Sequence, residues 1–397
     1  MSVPRPDQKK ETKASQLVSQ LQVWFVAHAR DLPWRRTHDP YAIWVSEIML
    51  QQTQVKTVIP FWERWLRELP TIAAAAQAPA DKIHKLWEGL GYYTRVRNLQ
   101  AAAQVIVAQH HGVFPQDFAA VLELPGIGRY TAGAICSIAF NQPTPILDGN
   151  VIRVLSRLFG LAENPKDKAA NARLWQLATE LVAHAQTQKA PRRKNLTAAA
   201  RGSCSMLNQS LMELGALVCT PRQPQCEVCP VKTQCVALRE NRQEELPNLG
   251  KRAAATAKRF VALVVERNGK FLVRQRPAGV VNAHLWEFPN HEISVSAGPG
   301  LAQAKAAAAQ VFGFAPAGLT PLCTVKHAIT RYRITLEAYL ATLDELPARP
   351  GGHWQTPAQL QALAFTSAHR KIVRAVLAGQ ARQTPGAATR RSQPTAD

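Results

Sequence analysis

Four cysteines stand close together near the middle of this 397-residue chain: Cys219, Cys226, Cys229 and Cys235. Their spacing is C-x6-C-x2-C-x5-C, and the chain has only three other cysteines, Cys136, Cys204 and Cys323. Clustered thiolates are soft ligands that can hold one metal centre. Structural zinc usually shows two matched C-x2-C pairs. One such pair is present here, and the long first gap suits a [4Fe–4S] cluster better. On spacing alone, a zinc clip and a disulfide pair stay open as alternatives.

Two carboxylates are set in apolar surroundings. Glu47 lies in YAIWVSEIMLQQTQV (41–55), which the periodicity predicts as one helix. An acid among Ile43, Trp44, Val45, Ile48, Met49 and Leu50 should have a raised pKa, as a general acid needs. At helical spacing Glu47, Gln51 and Gln54 also share a face, which equally describes a narrow polar stripe. Asp148 follows an apolar run in PILDGNVIRV (145–154). It reads as the N-cap of a helix beginning near Val151, as a carboxylate held ionised at a helix mouth, or as both. Between these acids lies LPGIGRYTAGA (124–134). A Gly-x-Gly turn joining two helices lets Gly126 and Gly128 aim backbone N–H groups at one phosphate, helped by the helix dipole.

The elements that must position these groups are mostly helical. Apolar residues recur three and four apart in 15–29, 42–68, 82–109, 117–123, 129–140 and 169–185. Residues 14–236 therefore read as one all-α domain, with the cysteine loop at 219–235 and a disordered tail at 1–13. A polar, basic segment at 186–203 interrupts it and reads as a loop. A polar linker over 237–257 leads into a second, α+β domain at 258–376. There FVALVVERNGKFLVRQR (260–276) reads as two alternating strands turned at Asn268-Gly269. RYRITLEAYLAT (331–342) is a further strand. AQAKAAAAQVFG (302–313) and SAHRKIVRAVLAG (367–379) are helices, and 377–397 is a tail.

Lys and Arg number 48 against 27 Asp and Glu, a formal charge of +21. An excess that large, spread along the chain, calls for a polyanionic partner, and nucleic acid leads. The start is polar and basic rather than signal-like, and no apolar stretch approaches the roughly eighteen residues of a membrane span. A reducing, cytoplasmic, nucleoid-associated location of the bacterial type is the expectation.

Taken in order, SEIMLQQTQV, GLGYYTRVRNL (89–99), LPGIGRYTAGA, ILDGNV and ELGALVC (213–219) resemble the endonuclease III superfamily of helix-hairpin-helix DNA glycosylases. Within it the chain is similar to the adenine-excising MutY family. The resemblance is dense over 14–236 and looser over 258–376. It implies a [4Fe–4S] cluster on the four cysteines and duplex DNA containing adenine mispaired with 8-oxoguanine or guanine as substrate. It also implies hydrolysis of the adenine N-glycosidic bond, and a monomer is expected. It carries Glu47 and Asp148 over as the catalytic pair, with Tyr130 and Asn150 orienting them. Arg30, Leu32, Trp34, Leu50 and Gln209 would line an adenine pocket. Gln52 and Tyr92 would occupy the gap left in the base stack. Strand-cutting relatives carry a lysine where this chain has Tyr130, and a phenol forms no Schiff base.

The second region is similar to the Nudix-fold domain with which that family reads 8-oxoguanine, best over RPAGVVNAHLWEFPNHE (276–292). A catalytic Nudix helix is rich in glutamate for Mg²⁺. The matching helix AQAKAAAAQVFG has no acid, so pyrophosphate hydrolysis is not expected. The family's lesion-reading loop often runs Phe-Ser-His, and Ile329, Thr330 and Arg331 stand there instead. No role is read for the basic segment 186–203.

Overall fold

The structure, a computed structural model, describes residues 13–191, 202–250, 254–295, 300–314, 316–329, 331–343 and 351–383. The expected tail up to residue 12, residues 192–201 of the basic segment, Thr330 and the last residues of the expected C-terminal tail lie outside these. The chain forms two compact units: Met1–Pro79 with Thr94–Arg252, and Ala80–Tyr93 with Ala253–Asp397.

The helices of the first half are α1 (Lys13–His28), α2 (Pro40–Leu50), α3 (Val55–Glu68), α4 (Ile72–Gln77), α5 (Ala80–Trp87), α6 (Thr94–Gln109), α7 (Phe118–Leu122), α8 (Arg129–Phe140), α9 (Gly149–Phe159), α10 (Lys168–Thr187), α11 (Ser203–Leu217) and α12 (Val236–Arg239). All but α5 belong to the first unit. Apolar faces of α1, α8, α9, α10 and α11 share one core that includes Phe25, Val154, Leu177 and Leu211.

Two predicted helices are broken. The expected helix over 41–55 stops at Leu50, because Gln51 is extended at ψ 111° and Gln52 is left-handed at φ 57°. The Arg95 guanidinium supplies the donors the missing turn would have given. Its Nη1 donates to the carbonyls of Ile48 (2.8 Å), Met49 (3.0 Å) and Gln51 (2.5 Å). Gln51 and Gln54 thus cap two different helices and share no helical face with Glu47. The run 82–109 is likewise divided, by a turn in which Gly89 (φ 118°) and Gly91 (φ 70°) are left-handed.

The two glycines of the helix-hairpin-helix turn do different work. Gly126 has φ 75°, and a Cβ there would stand 2.5 Å from that of Asn98. Gly128 caps α8 at an ordinary φ of −95° with open space around it. Asp148 caps α9, its Oδ1 accepting the Val151 N–H at 2.7 Å.

Among the described residues the second unit contains α5, seven strands and three later helices. These are β1 (Thr256–Arg267), β2 (Lys270–Gln275), β3 (Trp286–Glu287), β4 (Asn290–Ile293), α13 (Leu301–Phe312), β5 (Gly318–Ile329), β6 (Tyr332–Thr342), β7 (His353–Gln355), α14 (Pro357–Ala362) and α15 (Ser367–Gln383). The main sheet path is β3-β2-β1-β6-β5. Asn268 (φ 49°) and Gly269 (φ 70°) form the expected tight turn, pairing Arg267 with Lys270. The apolar run in β1 is continuous rather than alternating, because both faces are covered. Val261, Leu263 and Val265 share a core with α13, while Ala262 and Val264 share one with α15.

Some boundaries move. Helix reaches Arg239 and β1 starts at Thr256, so the expected linker over 237–257 is shorter. α15 continues to Gln383, into the expected tail at 377–397, since no proline interrupts it before Pro385. Among the described residues no helix is long and apolar enough to cross a membrane.

Gly126→Ala should destabilise the chain by at least about 2 kcal/mol, combining a left-handed φ with overlap on Asn98. Gly128→Ala should cost within about 1 kcal/mol. Urea midpoints of the two variants check this contrast.

Candidate active site

A cavity of about 650 Å³ opens in the first unit. Five elements or their ends contribute to it: the 3₁₀ turn Pro33–Arg35, α2 with the turn after it, the starts of α8 and α9, and α11. Glu47, Tyr130, Asp148 and Asn150 all line it, as the sequence predicts. So do Arg30, Leu32, Trp34, Leu50, Gln52 and Gln209, with Gly128 at the rim of the hairpin.

Glu47 is only 5% exposed, and its Oε2 accepts the Tyr130 hydroxyl at 2.7 Å. Burial raises its pKa from 4.5 to about 7. The Tyr130 hydrogen bond opposes that rise, the charge of Asp148 adds to it, and Arg35 opposes it. Burial likewise pushes Tyr130 well above the ordinary phenol value, so its hydroxyl stays a donor. Asp148 is differently held. Its Oδ2 accepts from Asn150 Nδ2 at 2.9 Å, while Oδ1 is engaged at the helix start. Burial raises its pKa too, and those hydrogen bonds with the nearby Arg153 work to lower it.

Glu213 is a second buried acid in this cavity, and its surroundings reverse the outcome. Burial would raise its pKa, but Arg30 and Arg35 more than offset that and hold it at about 2. Arg30 reaches it through Nε (2.9 Å), Nη2 (2.8 Å) and its backbone N–H (2.9 Å). Arg35 adds Nη1 (3.0 Å) and Nη2 (2.9 Å), and its Nε donates to Gln209 Oε1 at 3.1 Å.

Beyond Asn150 the network continues along α9. Arg153 Nη2 donates to Asn150 Oδ1 (2.9 Å) and to the Gly215 carbonyl (2.7 Å), and Nε donates to the Cys219 carbonyl (2.7 Å). One turn on, Arg157 Nη1 donates to Cys219 Sγ (3.4 Å) and the Thr220 carbonyl (2.7 Å). Cys219, Cys226, Cys229 and Cys235 all carry free thiols and line one small apolar cavity of about 30 Å³. Among the described residues no three His, Cys, Asp or Glu side chains form a group suited to a metal ion.

A model of the HhH-GPD superfamily of base excision DNA repair proteins matches residues 45–180, and a NUDIX domain model matches 260–375. The adenine DNA glycosylase of Rattus norvegicus is 34% identical over 411 residues, covering 88% of this chain and 76% of the relative. That of Homo sapiens is 34% identical over 414 residues, covering 88% and 72%. That of Buchnera aphidicola from Acyrthosiphon pisum is 34% identical over 267 residues, covering 67% and 71%. The chain belongs to the adenine DNA glycosylase family.

The remaining predicted residues of this adenine DNA glycosylase are not among those lining the cavity. Gly126 is inside the hairpin turn, against Asn98. Tyr92 is 44% exposed at φ 49° in the turn between α5 and α6. Ile329 ends β5 opposite Tyr332, and the Arg331 guanidinium packs on the Tyr332 ring at 5.2 Å. Sequence reading missed Glu213 and Arg153. Each had a signal: a lone acid in the apolar run SMLNQSLMELGAL and a lone base in VIRVL.

Glu47 binds its proton more tightly in the folded chain than in the unfolded one. The stability this contributes is complete below the unfolded value of 4.5 and is lost as pH rises toward 7. Glu47→Gln should therefore match the parent near pH 4. By about pH 8 it should be the more stable by on the order of 2–3 kcal/mol. Denaturant titrations at the two pH values check the sign.

Proposed function

We propose that this adenine DNA glycosylase removes adenine mispaired with 8-oxoguanine or guanine and leaves the strand uncut. The observation that carries the reading is the pairing of the buried Glu47, bonded to Tyr130 and with its pKa raised to about 7, with Asp148 in one cavity. Adenine in a duplex is unreachable, so the base must leave the stack and enter such a cavity. Gln52 and Tyr92 are assigned to the space it vacates. Leu32, Trp34 and Leu50 supply apolar walls, while Arg30 and Gln209 supply polar edges.

Glu47 then donates a proton to N7 of the adenine, making the base a better leaving group. Positive charge develops on the sugar, and the Asp148 carboxylate beside it stabilises that charge. The hydrogen bonds from the Val151 N–H and Asn150 favour the ionised Asp148 that this step needs. Glu47, now a carboxylate, takes the proton of the attacking water. Tyr130 keeps the Glu47 carboxyl in one orientation and, lacking an amine, offers no route to strand cleavage.

A [4Fe–4S] cluster is assigned to the four cysteines on their spacing and on the family, although their side chains do not stand as a metal-binding group here. Their thiols are free, they line one cavity, and Arg157 presents a cation to Cys219. Bound there, the cluster would act structurally, holding the 219–235 loop so that Arg222 and Lys232 meet phosphate. The first unit is assigned as the glycosylase and the second as the reader of the opposing base through Ile329, Thr330 and Arg331. The chain is assigned as a monomer, since one chain encloses one base.

Single-turnover excision separates the readings. The substrates are duplexes with adenine opposite 8-oxoguanine, guanine and thymine, each analysed with and without alkali. Base loss at the two mispairs, with breaks only after alkali, is expected. Glu47→Gln should lower the rate by about 10²–10⁴-fold while retaining DNA binding. Breaks without alkali would move the assignment to a glycosylase that also cuts the strand. Full excision by Glu47→Gln would remove the acid role.

A further inference from the structure

The segment Ala80–Tyr93 packs with the second unit although the chain on both sides of it belongs to the first. Two of its side chains, Lys85 and Glu88, contact residues 361–370. Glu88, just after α5, accepts the Phe365 backbone N–H on Oε1 at 2.9 Å. Its Oε2 accepts from Lys85 Nζ at 2.8 Å and lies 3.7 Å from Arg370 Nε. Lys85 Nζ also donates to the carbonyls of Gln361 (2.6 Å) and Leu363 (3.0 Å). The Glu88 side chain is 13% exposed, so its own contacts are largely shielded from bulk water.

The clasped stretch 361–365 is fixed on its other side to β3. The Trp286 N–H donates to the Ala364 carbonyl at 2.9 Å, and the Thr366 N–H donates to the Trp286 carbonyl at 3.2 Å. The Phe365 ring stacks on Phe288 at 5.9 Å. Glu88 is therefore one step from β3, which lies within the 276–292 motif.

In the other direction Glu88 opens the turn that carries Tyr92. Three residues of that turn are left-handed: Gly89 (φ 118°), Gly91 (φ 70°) and Tyr92 (φ 49°). The Leu90 N–H donates to the Trp87 carbonyl (3.1 Å), and Trp87 Nε1 donates to the Gly91 carbonyl (3.1 Å). A tyrosine in left-handed backbone is held there by its surroundings. Glu88 is a charged anchor at the start of this turn.

We propose that Glu88 and Lys85 are positioning residues through which the second unit sets the turn bearing Tyr92. Preference for the base opposite adenine would then depend on them, while excision itself does not. The inference rests on the reading above, in which Tyr92 enters the stack and the second unit reads the opposing base. It adds a mechanical route from one to the other.

The test uses the full chain as Glu88→Ala, with Glu88→Gln as the variant that keeps an acceptor for Phe365. Amide exchange and single-turnover excision are measured for each. In Glu88→Ala, exchange at Gly89, Leu90 and Gly91 should accelerate about tenfold or more, with amides of α8 unchanged. The rate ratio for adenine opposite 8-oxoguanine over adenine opposite guanine should fall about tenfold, within the usual range of coupling between sites. Glu88→Gln should fall between Glu88→Ala and the parent in both. Unchanged exchange in the turn overturns the proposal, and so does faster exchange with an unchanged ratio. A parallel loss of both excision rates in Glu88→Gln overturns it too, since that marks general damage. Failure of the underlying reading shows elsewhere, as a parent chain without any opposing-base preference.

Discussion

A carboxyl group buried without a cation of its own keeps its proton, and the cavity of this chain is arranged around that constraint. Glu47 and Glu213 are both inside, both nearly inaccessible, and differ only in their neighbours. Arg30 and Arg35 direct their guanidinium groups to Glu213, and this holds it at about 2. Glu47 receives a phenol instead, and settles at about 7. Had Arg35 turned to Glu47, the acid would be a permanent carboxylate and could donate nothing at neutral pH. Glu213 thus acts on Glu47 indirectly, by occupying the cations that would otherwise ionise it.

The same logic extends along α9. Asp148 needs donors to favour its charged form, and a helix start provides backbone N–H groups with the matching dipole. Asn150 adds a side-chain donor and is itself oriented by Arg153. Arg153 and Arg157 are both buried, which is costly for arginine unless its donors are satisfied. They are satisfied largely by backbone carbonyls around Cys219, Gly215 and Thr220. The conformation of the cysteine loop and the orientation of Asn150 therefore share donors on one rigid helix. Close packing reinforces this, since a Cβ on Gly215 would stand 2.6 Å from that of Asn150.

Much of this was legible in the sequence, for identifiable reasons. Asn268-Gly269, Gly126 and the cap at Asp148 are local signals, written in residues with one conformational use. Glu47 stood out because acids are rare in apolar runs. Features that depend on distant partners were not legible. The break after Leu50 relies on Arg95, forty-odd positions away, to satisfy the freed carbonyls. The two arginines on Glu213 come from the other end of the first unit. The continuous apolar run of β1 gave no sign that β6 would pair with it in parallel, since a strand covered on both faces loses its alternation. Nor did the helical periodicity of 82–109 reveal that its first part packs with the second unit, because an amphipathic helix does not say what covers it.

The turns after α2 and α5 share a further property that bears on DNA. Gln52 and Tyr92, the two residues assigned to the gap left by a departed base, both have left-handed backbone, at φ 57° and 49°. Few side chains other than glycine, asparagine and aspartate adopt that region without cost. A side chain that must reach into a base stack cannot be fixed by packing in the free protein, because its partner is absent. Its direction has to come from the backbone beneath it, and a left-handed residue at a tight turn projects its side chain outward in a set direction. Each turn is then secured from behind: by Arg95 on the carbonyls before Gln52, and by Trp87 and Glu88 ahead of Tyr92. On that assignment, strain at these two positions would aim exposed side chains before DNA arrives, so that ordering them adds little to the cost of binding.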